Sequence, residues 1–246
     1  MRNFIFFLTL FFATPANSQT LKIAAAGSLR YIIEDIKLKY SEKHPNTKIL
    51  ITIGASGQLA QQIIHGAGFD FFMSADNVFP TKLQALGLVD GQVRIYAYGR
   101  LAIWSNMTDV SKGIQVVKDK NVARISIAKP EIAPYGERAV QCLKYYNLFE
   151  GVKNKLVYAD NIAQAAQFAE TGNAELAIIA YSLILGSELK NKGSYYIVDS
   201  KSYKPLDQAC VILKKEKQNP EAEKFMNFVL SSYCTPIFEK YGFTIP

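Results

Sequence analysis

Cysteine is scarce in this chain, and its few copies stand far apart. The three cysteines of the 246 residues are Cys142, Cys210 and Cys234, with no CxxC pair among them. At most one disulfide can form, so the spacing excludes a disulfide framework and offers no cysteine cluster for a metal. Because Cys142 and Cys210 lie in apolar periodic segments, we predict that these thiols are buried.

Histidine is scarcer still, which limits the chemistry that the chain could catalyse. His44 and His65 are the only two, and Ser56 lies in "GASGQ" rather than in a G-x-S-x-G nucleophile elbow. A serine nucleophile therefore has no evident base to activate it. We predict that the protein is not an enzyme, and an exported hydrolase that uses Ser28 or Ser56 stays as the less favoured alternative.

Long apolar runs are missing except at the amino terminus. Residues 1–18, "MRNFIFFLTLFFATPANS", combine one arginine, a short apolar run, Pro15 and small residues before Gln19. This order is typical of a secretory signal peptide, and the run is too short to span a bilayer. No cysteine stands at the junction, which argues against a lipid anchor. We expect residues 1–18 to be a signal peptide and the mature chain to be exported.

Positive charge is in excess but is not concentrated. Lysine and arginine number 28 against 21 acidic residues, a formal charge of +7, and the basic residues are scattered along the chain. Scattered charge is typical of a solvated surface, whereas nucleic-acid binding needs a patch or stripe. We therefore predict no nucleic-acid partner.

Apolar periodicity predicts two sets of alternating strands and helices. The first set has strands at 21–26 and 47–53 with helices at 29–43 and 57–66. The second has strands at 124–128, 155–159 and 174–180 with helices at 137–149 and 161–171. Such alternation predicts an α/β fold with mainly parallel sheets covered by helices.

Two long β-type runs, 94–105 and 207–215, are interpreted as crossings between two lobes. On this interpretation, 19–98 plus 210–246 form lobe I, and 99–209 form lobe II. Helices predicted at 220–231 and 235–241 would then pack back onto lobe I.

Four strand-to-helix junctions share one chemical character. They are Gly27-Ser28, "GASG" at 54–57, "APYG" at 133–136 and "ADNI" at 159–162. Each places free backbone N–H groups and small residues at a helix start, where anions bind, and strand ends of open α/β sheets are where ligands lie. Such residues are also ordinary helix caps, but four junctions over two lobes favour a ligand cleft.

Several longer motifs carry a family resemblance. They are "AAAGSL" (24–29), "GASGQLAQQI" (54–63), "FFMSAD" (71–76), "YAYGRLAIWS" (96–105), "ISIAKPEIAPYG" (125–136) and "KYGFTIP" (240–246). In this order and spacing the chain resembles the periplasmic molybdate-binding proteins of ABC transporters, from Leu21 to Pro246. The resemblance implies a two-lobed periplasmic binding protein fold (type II), with mainly parallel central sheets, one crossing strand in each and a hinged cleft.

The resemblance also implies a function and a site. It implies a periplasmic, monomeric protein without a cofactor that captures molybdate, and tungstate, and delivers it to the membrane permease of an ABC transporter. Sulfate or a small organic anion is the alternative ligand. Carried over by position, the oxyanion oxygens would be bound by Gly27, Ser28, Ser56, Tyr135 and Ile162, and no side chain would bind the metal directly. Ser28 and Ser56 would offer hydroxyl and N–H groups, and Tyr135 and Ile162 would offer N–H groups.

One position departs from a branch of the family that has a ligand tyrosine after the fourth junction. Here Ala180 stands at the matching place, and Tyr181 follows one residue later. On a strand, a shift of one residue turns the side chain to the opposite face. The offset favours a Tyr181 side chain directed away from the anion, and the sequence alone leaves open whether Tyr181 reaches it.

Overall fold

The structure is a computed structural model that describes residues 19–246. The predicted signal peptide, 1–18, lies outside the described residues. Within them, no helix is both long enough and apolar enough to cross a bilayer.

Within residues 19–246, ten strands form two five-stranded sheets. The first sheet contains β1 (Gln19–Ala26), β2 (Thr47–Gly54), β3 (Phe71–Ser74), β4 (Val89–Tyr98) and β10 (Asp207–Leu213), in the order β2-β1-β3-β10-β4. The second contains β5 (Leu101–Ser105), β6 (Ile125–Ala128), β7 (Leu156–Ala159), β8 (Leu176–Ala180) and β9 (Ser194–Ile197), in the order β7-β6-β8-β5-β9.

The described part of the chain also contains ten α-helices. They are α1 (Ile32–Lys43), α2 (Ser56–Ile64), α3 (Val78–Ala85), α4 (Pro134–Tyr145), α5 (Phe149–Val152), α6 (Ile162–Glu170), α7 (Tyr181–Gly186), α8 (Leu189–Lys192), α9 (Pro220–Val229) and α10 (Thr235–Lys240). The longer ones are amphipathic: α1, for example, buries Ile32, Ile33, Ile36 and Tyr40 at helical spacing.

Each sheet is mainly parallel, as predicted, with one antiparallel strand. In the first sheet β10 runs antiparallel to both of its neighbours, and in the second β5 does the same. Each of these strands is the first one after the chain passes from one sheet to the other, at Gly99-Arg100 and through 198–206. The predicted fold class of two α/β lobes is confirmed.

The lobe bounds remain a prediction, and strand pairing adds detail to it. The run 94–105 is divided at Gly99-Arg100, so that β4 and β5 lie in different sheets. The run 207–215 does not itself cross, because β10 pairs within the first sheet from Asp207 onward. The passage back lies in the preceding residues.

Element ends differ from the prediction mainly at the junctions. A 3-10 turn, Gly27–Leu29, precedes α1, which begins at Ile32 rather than at 29. Helix α4 begins at Pro134 and ends at Tyr145, whereas 137–149 was predicted. Proline at the first helical position favours this earlier start, because that position needs no N–H donor.

The carboxyl-terminal helices pack on the first sheet, as the sequence predicted. Phe225 of α9 and Phe238 of α10 are buried in one cluster with Ile23 of β1 and Tyr40 of α1. The end of the chain therefore covers the first sheet, and all five strands of the second sheet lie between β4 and β10 in the chain.

The cysteines are buried free thiols, as predicted for Cys142 and Cys210. Burial raises the pKa of Cys142 to about 11, and those of Cys210 and Cys234 to about 12. Thiols in such surroundings are protonated at neutral pH and unreactive.

Candidate functional site

The four predicted junctions meet at one small cavity between the two lobes. It encloses only about 10 Å³, or about 200 Å³ when the adjoining space open to solvent is included. Its lining consists of Ala26, Gly27, Ser28, Gly54, Ala55, Ser56, Ala75, Ala133, Pro134, Tyr135 and Ile162. All five residues predicted to bind a ligand are among them, and the described lining contains no charged side chain.

Ser28 presents a buried hydroxyl from the turn that follows β1. The residue is 2% exposed, and its Oγ lies 3.5 Å from Oε1 of Gln208, a long and weak hydrogen bond. The Ser28 carbonyl accepts a 2.7 Å hydrogen bond from the hydroxyl of Ser182, which belongs to the other lobe. The backbone of Ser28 is thus held firmly, while its hydroxyl is free to turn to a better acceptor.

Ser56 is the first residue of α2 and lines the same cavity. Its Oγ accepts a 3.0 Å hydrogen bond from the N–H of Ala75, which follows β3. Since that oxygen is engaged as an acceptor, the hydroxyl hydrogen can be donated to a ligand.

Tyr135 contributes a backbone N–H at the start of α4. The helix opens with Pro134 after the extended residue Ala133, and no side chain caps it. The first N–H groups of a helix have no partner within it, and proline carries none. The N–H of Tyr135 is therefore the first donor that α4 directs toward the cavity.

Ile162 contributes the corresponding N–H at the start of α6. Asn161 caps this helix, and its Oδ1 accepts 3.0 Å hydrogen bonds from the N–H groups of Ala163 and Gln164. This cap uses the second and third N–H groups and leaves the first, on Ile162, for a ligand.

Gly27 allows the two lobes to approach closely. A Cβ atom at this position would lie 3.3 Å from Cγ2 of Ile162 and 3.4 Å from Oδ1 of Asn161. A side chain on the turn after β1 would therefore press against the start of α6. The cavity keeps its small size because glycine stands here.

Helix dipoles supply the electrostatic field of the cavity. The amino-terminal ends of α2, α4 and α6 all contribute lining residues. Unpaired N–H groups and the positive end of each dipole favour an anion at such a position. The site can therefore bind a small anion with neutral donors from both lobes.

A family model described as bacterial extracellular solute-binding protein matches residues 21–244. The chain belongs to this family. Among curated relatives, the molybdate-binding protein ModA of Azotobacter vinelandii is 36% identical over 233 residues, covering 94% of this chain and 92% of the relative. The molybdate-binding protein ModA of Rhodobacter capsulatus is 32% identical over 237 residues, with 96% and 92% covered.

The fold of this solute-binding protein is also found in a solved structure. The Azotobacter vinelandii periplasmic molybdate-binding protein superposes with a TM-score of 0.86 at 28% identity, covering 92% of this chain and 99% of the other. The predicted two-lobed periplasmic binding protein fold is confirmed, as is the predicted resemblance to the molybdate-binding family.

Tyr181 does not line the cavity of this solute-binding protein, but the reason differs from the predicted one. Strand β8 ends at Ala180, and Tyr181 begins α7, so alternation along a strand does not apply. Its ring contacts Tyr195, with 5.6 Å between centroids, and lies 5.5 Å from the guanidinium carbon of Arg100.

Gln208 is a residue near the site that the sequence interpretation missed. It is fully buried in β10, and its Nε2 donates to the carbonyls of Ala75 at 2.8 Å and Leu206 at 3.2 Å. A glutamine within the apolar run "DQACVIL" is the signal that could have revealed it, because a buried amide needs partners.

Proposed function

We propose that this solute-binding protein captures molybdate, and also tungstate, in the cavity between its lobes and delivers it to the membrane permease of an ABC transporter. The observation that carries the proposal is the lining, which offers hydroxyl and backbone N–H donors without any charged side chain. The two curated relatives named molybdate-binding proteins support the choice of ligand.

Neutral donors are sufficient to hold a dianion if enough of them are fixed in place. Desolvating an anion is costly, but hydrogen bonds to a charged acceptor are about twice as strong as neutral ones. In the proposed complex, Ser28 and Ser56 donate hydroxyls and N–H groups, and Tyr135 and Ile162 donate N–H groups. Gly27 provides the room for the anion beside Ser28.

The donor-only lining also gives selectivity. A protonated phosphate would point its own O–H at another donor, with no acceptor to receive it. Sulfate is smaller than molybdate, so in a cavity sized for the larger oxyanion its oxygens would fall short of some donors. Tungstate is close to molybdate in size, and we expect similar affinity for both.

Delivery depends on both lobes contributing to one ligand. Since the donors lie on opposite sides of the cleft, the anion bridges the lobes and favours the closed form, which a permease can recognise. We propose that the protein acts as a monomer in the periplasm after removal of residues 1–18, and that it is not an enzyme.

The alternatives fit the cavity less well. The enclosed space of about 10 Å³ favours a small inorganic anion over an organic one, since pockets for larger ligands begin at about 300 Å³. For a serine hydrolase, the described lining includes neither His44 nor His65. The groups hydrogen-bonded to Ser28 and Ser56 are the Gln208 amide, the Ser182 hydroxyl and the Ala75 N–H, none of which is a base.

Thermal melting of ligand-stripped protein, residues 19–246, tests the proposal. Melting is compared with molybdate, tungstate, sulfate, phosphate and vanadate at equal concentration and ionic strength. A ligand at about 1,000 times its dissociation constant stabilises the native state by about 4 kcal/mol. We expect a large rise with molybdate and tungstate alone. A rise with sulfate only, or with none of the five, would refute the proposed ligand.

A further inference from the structure

The phenol oxygen of Tyr135 is exceptional among the polar groups of this protein. Within residues 19–246 it is the one buried side-chain N or O atom without a hydrogen-bond partner. The residue is 1% exposed and lines the cavity. A buried hydroxyl without a partner destabilises the folded protein, so its presence calls for a reason.

The surroundings of this phenol place it between the two lobes. A Cβ atom on Gly99, where β4 passes into β5, would lie 2.3 Å from the Tyr135 hydroxyl and 2.8 Å from Nε2 of Gln208. The Tyr135 side chain therefore reaches from α4 to the crossing segment, into space that only a glycine there leaves open.

The Ser28 hydroxyl also lies beside the phenol. Burial raises the pKa of Tyr135 far above its usual range, the neighbouring Tyr203 raises it further, and the Ser28 hydroxyl acts in the opposite direction. Ser28 Oγ is itself weakly engaged, since Gln208 Oε1 is 3.5 Å away. The hydroxyls of Ser28 and Tyr135 thus lie side by side at the cavity, and the hydrogen-bonding capacity of both is largely unsatisfied.

The amide of Gln208 has a defined orientation. Its Nε2 faces two carbonyl oxygens, of Ala75 and Leu206, and the opposite orientation would place an oxygen against both. Oε1 must therefore face Ser28, where it competes for the Ser28 hydrogen. The Ser28 hydrogen can therefore go either to Gln208 Oε1 or to a bound anion. A group that donates a hydrogen bond to Ser28 Oγ does not decide between these two acceptors, but it makes the Ser28 hydroxyl a stronger donor.

We propose that Tyr135 is a positioning residue whose phenol donates a hydrogen bond to Ser28 Oγ when the oxyanion binds, while the Ser28 hydrogen turns from Gln208 to the anion. This inference rests on the proposed function. The chain of donors runs from Tyr135 O–H to Ser28 Oγ, and from Ser28 O–H to the oxyanion. Hydrogen bonds in such a chain polarise and strengthen one another.

The arrangement has a consequence for selectivity. A serine oxygen can accept a hydrogen bond as well as donate one, so an unoccupied Ser28 Oγ would tolerate a protonated anion. A phenol that donates to Ser28 Oγ occupies one of its two acceptor positions and so reduces the capacity of the hydroxyl to accept from a ligand. Tyr135 then contributes to the rejection of protonated phosphate as well as to affinity.

Tyr135→Phe tests the inference by titration calorimetry with molybdate. Removing a hydroxyl without a partner should not lower the stability of the ligand-free protein. We expect the affinity to fall about 3- to 10-fold, the size of one neutral hydrogen bond. We also expect the preference for molybdate over phosphate to decrease. Tyr40→Phe is the matched control, because Tyr40 is a buried tyrosine whose hydroxyl donates to Glu221 at 3.0 Å, away from the cavity lining.

A double-mutant cycle separates positioning from a merely structural role. If Tyr135 acts through Ser28, Tyr135→Phe should cause almost no further loss in a Ser28→Ala background, yet the full loss in a Ser56→Ala background. Unchanged affinity of Tyr135→Phe, or an equal loss in both backgrounds, would overturn the inference. If the unmutated protein does not bind molybdate, the proposed function fails and this inference fails with it.

Discussion

Ser28 and Ser56 contribute the two serine hydroxyls that line the cavity, and their hydrogen bonds differ. Ser56 Oγ accepts from the Ala75 N–H at 3.0 Å, which directs its hydrogen away from that N–H. Ser28 has only the long contact with Gln208 Oε1. Ser56 is thus oriented before a ligand arrives, whereas Ser28 is oriented by the ligand and its neighbours.

Replacing Ser56 by alanine should therefore weaken molybdate binding strongly. A hydrogen bond to a charged group contributes about 1.5 to 3 kcal/mol, which corresponds to about 10- to 150-fold in affinity. Calorimetric titration gives the affinity directly and is preferable to melting, because the substitution also leaves the Ala75 N–H without its acceptor. Ser231→Ala, which removes a hydroxyl that donates to Phe228 O at 2.6 Å, is the control. Equal affinities for both variants and the unmutated protein would remove Ser56 from the site.

Helix starts determine where the backbone donors point. Helix α6 is capped by Asn161, which occupies two N–H groups and leaves that of Ile162, whereas α4 has no side-chain cap and begins with a proline. The caps thus select which N–H groups remain available. A cap at each first N–H group would stabilise the helices further, so N–H groups left free are consistent with a role in binding a ligand.

Asn161→Ala should affect both stability and binding. Loss of the cap destabilises the protein by about 1 kcal/mol, and the start of α6, freed from its cap, should align the Ile162 N–H less well with the anion. Asn219 is a matched control, since its side chain caps α9 through a 3.1 Å bond to the Glu221 N–H. We expect both Asn161→Ala and Asn219→Ala to unfold at a lower denaturant concentration than the unmutated protein. Only Asn161→Ala should lose affinity for molybdate. The same affinity in the two variants would contradict the role of α6.

The sequence predicted these junctions well because strand, cap and helix are local patterns. Pro134, Asn161 and the pair Gly27-Ser28 are signals within a few residues, and the four junctions do meet in one cavity. The partners that tune the site were not predictable in this way. Gln208 and Ser182 are 180 and 154 residues away from Ser28 in the chain, and only the paired lobes bring them to it.

The start of α7 also could not be predicted from local sequence patterns. The apolar run 174–180 predicts a strand, and the residues after it contain no proline or glycine until Gly186. The change from β8 to α7 at Tyr181 is therefore not marked by a breaker. It depends on packing, in which Tyr181 lies against Gly242 from the end of the chain.

Two hydrogen bonds join the lobes directly across the cleft. The N–H of Gly57 in α2 donates to the carbonyl of Ile132 at 2.8 Å, and Ser182 donates to the Ser28 carbonyl at 2.7 Å. A Cβ atom on Gly57 would lie 2.8 Å from Cζ of Phe79 and 2.9 Å from the Ile132 oxygen. The lobes therefore fit together only with glycine at this position.

Gly57→Ala should hinder closure and so reduce molybdate affinity. The added methyl group meets backbone of the other lobe, and overpacking of this kind costs about 1 to 3 kcal/mol. Gly151→Ala is the control, because a Cβ atom there meets nothing within 4 Å. Small-angle scattering should show the radius of gyration falling with molybdate in the control but less in Gly57→Ala at the same concentration. Full compaction of Gly57→Ala, with unchanged affinity, would show that this contact does not limit closure.

In the proposed complex, one anion joins both lobes through neutral donors. The most direct measurement is a crystal structure of the protein with molybdate, collected at the molybdenum absorption edge. We predict a single anomalous peak in the cavity, with oxygens within hydrogen-bond distance of the hydroxyls of Ser28 and Ser56 and the N–H groups of Tyr135 and Ile162. A peak elsewhere, a charged side chain bound to the anion, or an empty cavity at saturating molybdate would contradict the account.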